Sequence, residues 1–384
     1  MDKKSIMCEC HALAVNWTRE LVRINSENPP GQELAVARRC EEILREIGME
    51  VTLDEFSPGR ANVVAYYGNR EQLGLAFNGH IDVVAANSGW RYPPFAAEVE
   101  GGKIYGRGSA DMKSGCAAMM AAAKYIIDTK ATLEKGFVLT LVSDEECVNK
   151  GSIRLSQTKR IHADACVVCE PTQLQVHYGN RGYTSYYIRT YGKACHACNT
   201  KNGVNAIYKM ARVLEKLEQF EGVLQRRTNP LLGSISLNVG TIHGGKCLNT
   251  VPDFCEIEVE SRVFPGVDAT MICAELQQLL GEEAEVVVRS NLLASLVPLD
   301  SEIVKRAEES VQSVLGQKAV IAEFPACSEA SYFSVGYGMP TILLGPGNIG
   351  VAHKENEFVE IWQIEAAVEI YAKLIRAYTY KTEC

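Results

Sequence analysis

The sequence predicts an α/β fold, a mixed, mainly parallel sheet sandwiched by helices, with a smaller α+β unit inserted into it. Three observations predict it. Short β-rich runs alternate with helical stretches over the first 180 residues. Between residues 181 and 295 the texture changes to half-exposed, alternating strands. After Pro298 the first texture returns. The 384 residues are also long for a single hydrophobic core, which favours two domains. The expected division is 1–180 with 296–384 as one domain and 181–295 as the insertion.

Taken in order, residues 16–24 and 32–47 read as helices, the second stopped by Gly48, a residue suited to a helix C-terminus. Strands are expected at 62–67, 73–77, 137–142 and 165–169. The Ala- and Met-rich run 112–127 should form a helix between the middle two. Strands separated by helices argue for a sheet with a parallel core. In the insertion, 183–190, 234–240, 255–263 and 284–289 read as strands, and 205–220 and 270–280 as helices. Two helices and four strands make a small α+β unit of the ferredoxin-like kind. A helix at 302–315, a buried strand at 341–344 and a closing helix at 361–378 complete the chain.

Composition narrows the function classes. Hydrophobic residues make up 47% and charged residues 22%, the balance of an ordinary globular protein. A net charge of −8 disfavours nucleic acid and anionic lipid as partners. The longest run of small apolar residues, 116–123, is too short to span a bilayer. Lys3 and Lys4 precede only a brief apolar stretch at 12–15, too short for a signal peptide. A cytoplasmic location is therefore expected. There the fourteen cysteines should be mostly buried thiols. Cys166 and Cys169 would point to opposite faces of a strand. Cys195 and Cys198 bracket His196 but lack a second pair to complete a structural zinc site.

The chemistry-bearing residues follow strand ends. The 73–77 strand leads into Asn78-Gly79-His80-Ile81-Asp82, and the 137–142 strand into Asp144-Glu145-Glu146. The 165–169 strand leads into Glu170, and the 341–344 strand, through Gly345-Pro346-Gly347, toward His353. Open α/β sheets bind ligands at the carboxyl ends of their parallel strands. Asp111 is placed differently, after the glycine-bearing run 106–110 at the start of a helix. Singly, each has an ordinary reading: Asp111 as a helix cap, Glu145 and Glu146 as a solvated turn, His80 and His353 as hydrogen-bonded loop residues. Together, two histidines and three carboxylates at one sheet edge would repel and shift their pKa values upward unless cations neutralised them. Imidazole with carboxylate suits Zn²⁺, and the same donors accept Co²⁺ or Mn²⁺. A pair of metals needs one bridging carboxylate, and a spare acid beside them can act as general base. Asp82, on the same side as His80, can take its second ring N–H.

Five ordered runs, 78–84, 105–113, 144–146, 170–172 and 352–357, resemble the acetylornithine deacetylase / succinyl-diaminopimelate desuccinylase family. That family belongs to the metallopeptidase superfamily of aminoacylase and carboxypeptidase G, and the resemblance runs from near residue 20 to the C-terminus. It implies a metal-binding catalytic domain and an inserted dimerisation or lid domain. It implies His80 and Glu170 on one metal, Glu146 and His353 on the other, Asp111 bridging both with a cis bond after it, and Glu145 as acid/base. From the insertion, His196 would reach a neighbouring subunit's site to stabilise the oxyanion. Asn249 and Arg262 would contact substrate, Arg262 gripping a carboxylate. The run Ser328-Glu329-Ala330 and the run 242–245 resemble the deacetylase branch. The family's usual Ser and Pro after the oxyanion histidine are replaced by Ala197-Cys198-Asn199-Thr200.

The expected function is hydrolysis of the amide of an N-acyl amino acid or similar small amide. A hydroxide bridging two metals would attack, with Glu145 as general base, in a cytoplasmic homodimer. The alternatives are a dipeptidase or carboxypeptidase on the same metals, then a desuccinylase. A non-catalytic scaffold is disfavoured because every expected ligand is present, and a thiol-redox protein because its Cys-x-x-Cys pairs lack a thioredoxin-like context.

Overall fold

A computed structural model describes residues 2–130, 132–158 and 161–380. The chain divides into two compact units. One comprises the residues up to Gly179, Leu296–Phe324 and those from Ser328 onward; the other comprises Asn180–Ser295 and Pro325–Cys327. The grouping of 325–327 with the second unit differs from the sequence-based boundary. In that unit the Arg262 guanidinium donates to Cys327 Sγ at 3.6 Å, a contact between residues far apart in sequence.

The first unit is built on a mixed sheet. Its strands run, side by side, Glu50–Ser57, Arg60–Tyr67, Gly136–Val142, Leu73–His80, Ala163–Val168, Thr341–Leu343 and Val176–Asn180. The central four pair parallel, and antiparallel pairings flank them on both sides. Leu73–His80 and Gly136–Val142 are buried along their whole length, as expected for strands covered on both faces. The outer strand Glu50–Ser57 escapes a hydrophobicity reading because it is mostly exposed or half-exposed. It is held by a hairpin to Arg60–Tyr67.

The helices follow from caps and apolar stripes. α1 spans Lys3–Arg23, far longer than the 16–24 expected from the sequence. Asp2 Oδ1 accepts the Ser5 N–H at 2.8 Å and opens it. Ile6, Cys10, Ala14, Trp17 and Leu21 form its buried stripe at spacings of three and four. α2 is Leu34–Glu46. α3 begins at Ser114 rather than Met112 and runs to Asp128. It is buried almost all round, because its Ala and Gly side chains let backbones approach closely. α4 spans Lys150–Thr158. Among the described residues, no helix is long and apolar enough to cross a membrane.

The second unit follows the order strand, helix, strand, strand, helix, strand. Gly182–Tyr191 leads to α5 (Ala206–Gln225), then Ser236–Gly244 and Phe254–Val263, then α6 (Ala269–Leu280) and Glu285–Leu292. All pairings among these four strands are antiparallel, in the spatial order second, third, first, fourth. Phe254–Val263 alternates buried and half-exposed, so one face carries the core. Asn205 and Asp268 cap the two helices through their side-chain oxygens.

The chain closes the first unit with α7 (Glu302–Leu315) and α8 (Ile361–Thr379). Tyr371 of α8 packs on Phe77 with ring centroids 5.0 Å apart, and its hydroxyl donates to the Leu344 carbonyl at 2.6 Å. Burying Phe77 alone contributes roughly 1.5–3 kcal/mol. The next residue, Gly345, leaves no room for a side chain. A Cβ there would meet the carbonyl oxygens of Cys169 at 2.4 Å and Glu170 at 2.5 Å. Gly345→Ala is therefore expected to destabilise the fold by about 1–3 kcal/mol, the usual cost of overpacking a tight contact, and calorimetric melting against the unmodified chain checks it.

Candidate metal centre

Parallel pairing explains how distant residues meet. Gly136–Val142, Leu73–His80, Ala163–Val168 and Thr341–Leu343 are parallel neighbours, so their carboxyl ends share one sheet edge. His80 is the last residue of its strand, Glu146 and Glu170 follow theirs closely, and His353 follows after a longer loop. Asp111 enters from a tight turn, Ser109–Lys113, with a cis bond between Asp111 and Met112. Gly108 before it sits at φ +81°, a backbone state that favours glycine.

Donor atoms of His80, Asp111 and Glu146 lie within 4.8 Å of one another. The Asp111 carboxylate is shared. Its Oδ1 accepts from His80 Nε2 at 3.1 Å, and its Oδ2 lies 3.4 Å from His353 Nε2. His353 Nε2 also donates to Glu146 Oε1 at 3.0 Å. Glu170 is 3% exposed and senses the charges of Asp111, His80 and Glu146. His353 is the open member, 51% exposed at its side chain.

The electrostatics follow from burial and this sharing. Burial alone would lower the His80 pKa, but its hydrogen bond to Asp111 and the fields of Glu145, Asp111 and Asp82 hold it well above the ordinary range. Hydrogen bonds to Asp111 and Glu146 push His353 up to about 10. Burial would raise Asp111, yet both imidazoles keep its carboxyl well below the usual range. Burial, reinforced by the Asp111 charge, raises Glu170 well above its ordinary value and also raises Glu146.

The donor set fits divalent cations. His80 Nδ1 donates to the Asp82 carbonyl at 3.0 Å, while its Nε2 faces a carboxylate. Since both partners only accept, the ring must carry a second proton unless a metal ion takes its place at Nε2.

Other expected site residues are placed as follows. The Asp82 carboxylate lies 3.7 Å from His80 Nδ1, so its carbonyl, not its side chain, is the closer partner. That carboxylate instead accepts the backbone N–H groups of Glu145 at 3.1 Å and Glu146 at 3.0 Å. Glu145 is half-buried next to the cluster and raises the His80 pKa through its charge. Asp144 turns away: its Oδ2 accepts the Lys150 N–H at 3.0 Å and its Oδ1 faces Arg60 and Asn28. In the second unit, His196 and Asn249 come together where 196 bridges 250 and the Ala197 N–H donates to the Asn249 carbonyl at 2.9 Å. Both side chains are exposed. Arg262 is half-buried, donating to Glu260 at 3.2 Å with its guanidinium over the Tyr183 ring.

Supporting residues were harder to find from sequence. Glu357 Oε1 accepts the N–H groups of Ala110 at 2.9 Å and Asp111 at 3.1 Å, and its Oε2 accepts from the fully buried Arg107 at 2.5 Å. Both stand inside runs that carried the resemblance, but nothing local marks them as partners. Glu329 accepts from Asn78 at 2.6 Å and from Ser152, and burial pushes its carboxyl up to about 7. It therefore braces the strand leading to His80 as well as standing in a branch-specific motif.

The fold and this cluster define a metal-dependent hydrolase. The chain belongs to peptidase family M20/M25/M40, whose sequence pattern it matches over residues 76–377, and its activity is metal-dependent hydrolysis of amide bonds. Acetylornithine deacetylases of Vibrio atlanticus and Vibrio vulnificus are each 30% identical to it; the alignments cover 90% and 93% of this chain and 92% and 95% of those proteins. A metallo-carboxypeptidase of the M20 family from Sulfolobus solfataricus shares the fold with a TM-score of 0.80 at 19% identity, over 95% of this chain and 99% of that one. A dinuclear metal-binding M20 peptidase from Bacillus subtilis does so with a TM-score of 0.72 at 16% identity, over 96% and 98%.

A pH dependence follows. In the metal-free chain His80 and His353 hold protons at Nε2, with raised pKa values. A raised pKa means the proton stays bound up to higher pH, neutral pH included, so a metal must displace it there. Metal affinity should rise with pH and level off for the His353 step near its value of about 10. Zn²⁺ titration calorimetry in buffers of different ionisation enthalpy should record proton release at neutral pH; an absence of release would exclude these imidazoles as ligands.

Proposed function

We propose that the chain removes the acyl group from the nitrogen of a small N-acyl amino acid, as an acetylornithine deacetylase-like deacylase holding two Zn²⁺ ions. The observation that carries this reading is the Asp111 carboxylate, which offers one oxygen toward His80 and the other toward His353. That is the arrangement a carboxylate shared by two cations requires. A 30% identity to two acetylornithine deacetylases, over 90% and 93% of the chain, supports the substrate class.

In this reading His80 and Glu170 would hold one ion and Glu146 and His353 the other, with Asp111 available to both. When bound, such ions polarise the scissile carbonyl and lower the pKa of the attacking water. Glu145 takes the proton of that water and delivers it to the leaving nitrogen. Asp82 keeps the Glu145 and Glu146 amides in place. His196 donates to the developing oxyanion, while Asn249 and the planar fork of Arg262 bind the substrate, Arg262 at its carboxylate. The Asn180–Ser295 unit would serve as lid and homodimer contact, bringing His196 to the neighbouring subunit. The thirteen cysteines among the described residues are all free thiols, which supports a cytoplasmic setting, where thiols stay reduced.

Glu145→Ala is expected to abolish turnover while metal content stays normal; turnover at the unmodified rate would remove Glu145 from the base role. A panel of N-acyl amino acids, N-acetylornithine included, set against dipeptides tests the substrate class. Preference for dipeptides would replace the deacylase by a dipeptidase on the same residues. Metal analysis should return about two equivalents per chain, and none would leave only the fold.

A further inference from the structure

We propose that Arg60 is a positioning residue for the Glu145–Glu146 turn, acting directly on Asp144, which starts the turn, and through Asn28 on the Asp82 carboxylate. The inference rests on the roles given to Glu145 and Glu146 above.

The guanidinium of Arg60 is 11% exposed at its side chain and faces a buried carboxylate group on each side. It donates to Asp144 Oδ1, to Asn28 Oδ1 at 2.8 Å and to the Pro30 carbonyl at 3.0 Å. Its Nε lies 3.7 Å from Glu33. Among the described residues neither Glu33 oxygen has a hydrogen-bond partner; burial pushes its carboxyl up to about 7, and the Arg60 charge opposes that rise. Gly31 makes space for this packing: a Cβ there would fall 1.6 Å from Arg60 Nη2.

Arg60 also decides which way Asn28 faces. By donating to Asn28 Oδ1 it turns the Nδ2 group toward Asp82 Oδ2 and Asp144 Oδ1, each at 2.9 Å. The reversed amide would set an acceptor against two carboxylates. Asp82 then accepts the amides of Glu145 and Glu146, and its carbonyl holds His80 Nδ1. Asp144, the residue that starts this turn, sits at φ +74°. A non-glycine residue keeps that backbone state only when its surroundings over-determine it, and here both its carboxylate oxygens are held. One planar fork thus serves three partners at fixed angles, which a lysine ammonium cannot reproduce.

The test uses the full chain with Arg60→Lys and Arg60→Ala. Two readouts are taken: kcat and KM on the best substrate of the panel, and the visible absorption of the Co²⁺-loaded protein. Arg60→Lys should lower kcat by about 10–100-fold, the usual cost of losing an outer partner of a metal site, with KM little changed and the Co²⁺ bands shifted. Millimolar guanidinium should restore part of the activity of Arg60→Ala. If Arg60→Ala does not fold, Arg60→Lys alone decides. A folded Arg60→Lys with unaltered kcat and Co²⁺ spectrum overturns the proposal. So does a loss that only tracks the unfolded fraction and that guanidinium fails to recover. Failure of the Glu145 assignment is distinguishable, because the Co²⁺ spectrum reads Glu146 whether or not Glu145 is the base.

Discussion

The first unit depends on how Asp111 is surrounded. Its carboxylate is buried with two further glutamates nearby, and burial penalises every one of those charges. In the metal-free chain two imidazolium rings offset part of that cost by donating to the aspartate. Removing water from several like charges is unfavourable without a compensating cation, so the cluster makes physical sense as a place where cations replace protons. The sheet supplies the geometry: four parallel neighbours carry their carboxyl ends to one edge, where His80 ends one strand and Glu146 follows the next, both within reach of Asp111.

Around this cluster lies a second set of charges whose work is to hold the first set still. Glu357, braced by the buried Arg107, pins the two backbone amides that lead into Asp111. Asp82 pins the amides of Glu145 and Glu146, and Arg60 with Asn28 pins Asp82. Glu329 ties the strand before His80 to α4 through Asn78 and Ser152. Buried ion pairs add little net stability, since desolvation consumes most of their attraction. Their effect is directional. Each fixes one orientation of a side chain that would otherwise have several, which is what a site with tight coordination demands.

Much of this was legible in the residues before any coordinates. His80 at a strand end, and Glu146, Glu170 and His353 in the segments that follow strand ends, could be singled out because a parallel sheet turns strand ends into a common edge. The elements of the second unit came within a few residues of their positions because alternation on a one-faced sheet is a strong signal. Three readings did not survive. The first helix starts thirteen residues earlier than expected, at Lys3 rather than 16, since the buried stripe of its N-terminal half is only Ile6, Cys10 and Ala14 amid exposed or half-exposed residues. The Ala-rich helix begins at Ser114 because the Asp111 turn precedes it. The Asp82 side chain serves the Glu145–Glu146 amides, with its carbonyl nearer to His80.

The sequence by itself determined which residue types could chelate a divalent cation, which strands were buried, and that a separate α+β unit interrupts the chain. These are local properties of periodicity, composition and short motifs. Only the tertiary structure decided that Arg60 faces Asp144 and Asn28, that Glu357 reaches the Asp111 amides, and that Glu329 meets Asn78, partners separated by between 32 and 251 positions. A charged side chain in a sequence has no preferred partner. Burial removes water as the competing partner, and the fold then leaves each charge only the few neighbours it can reach.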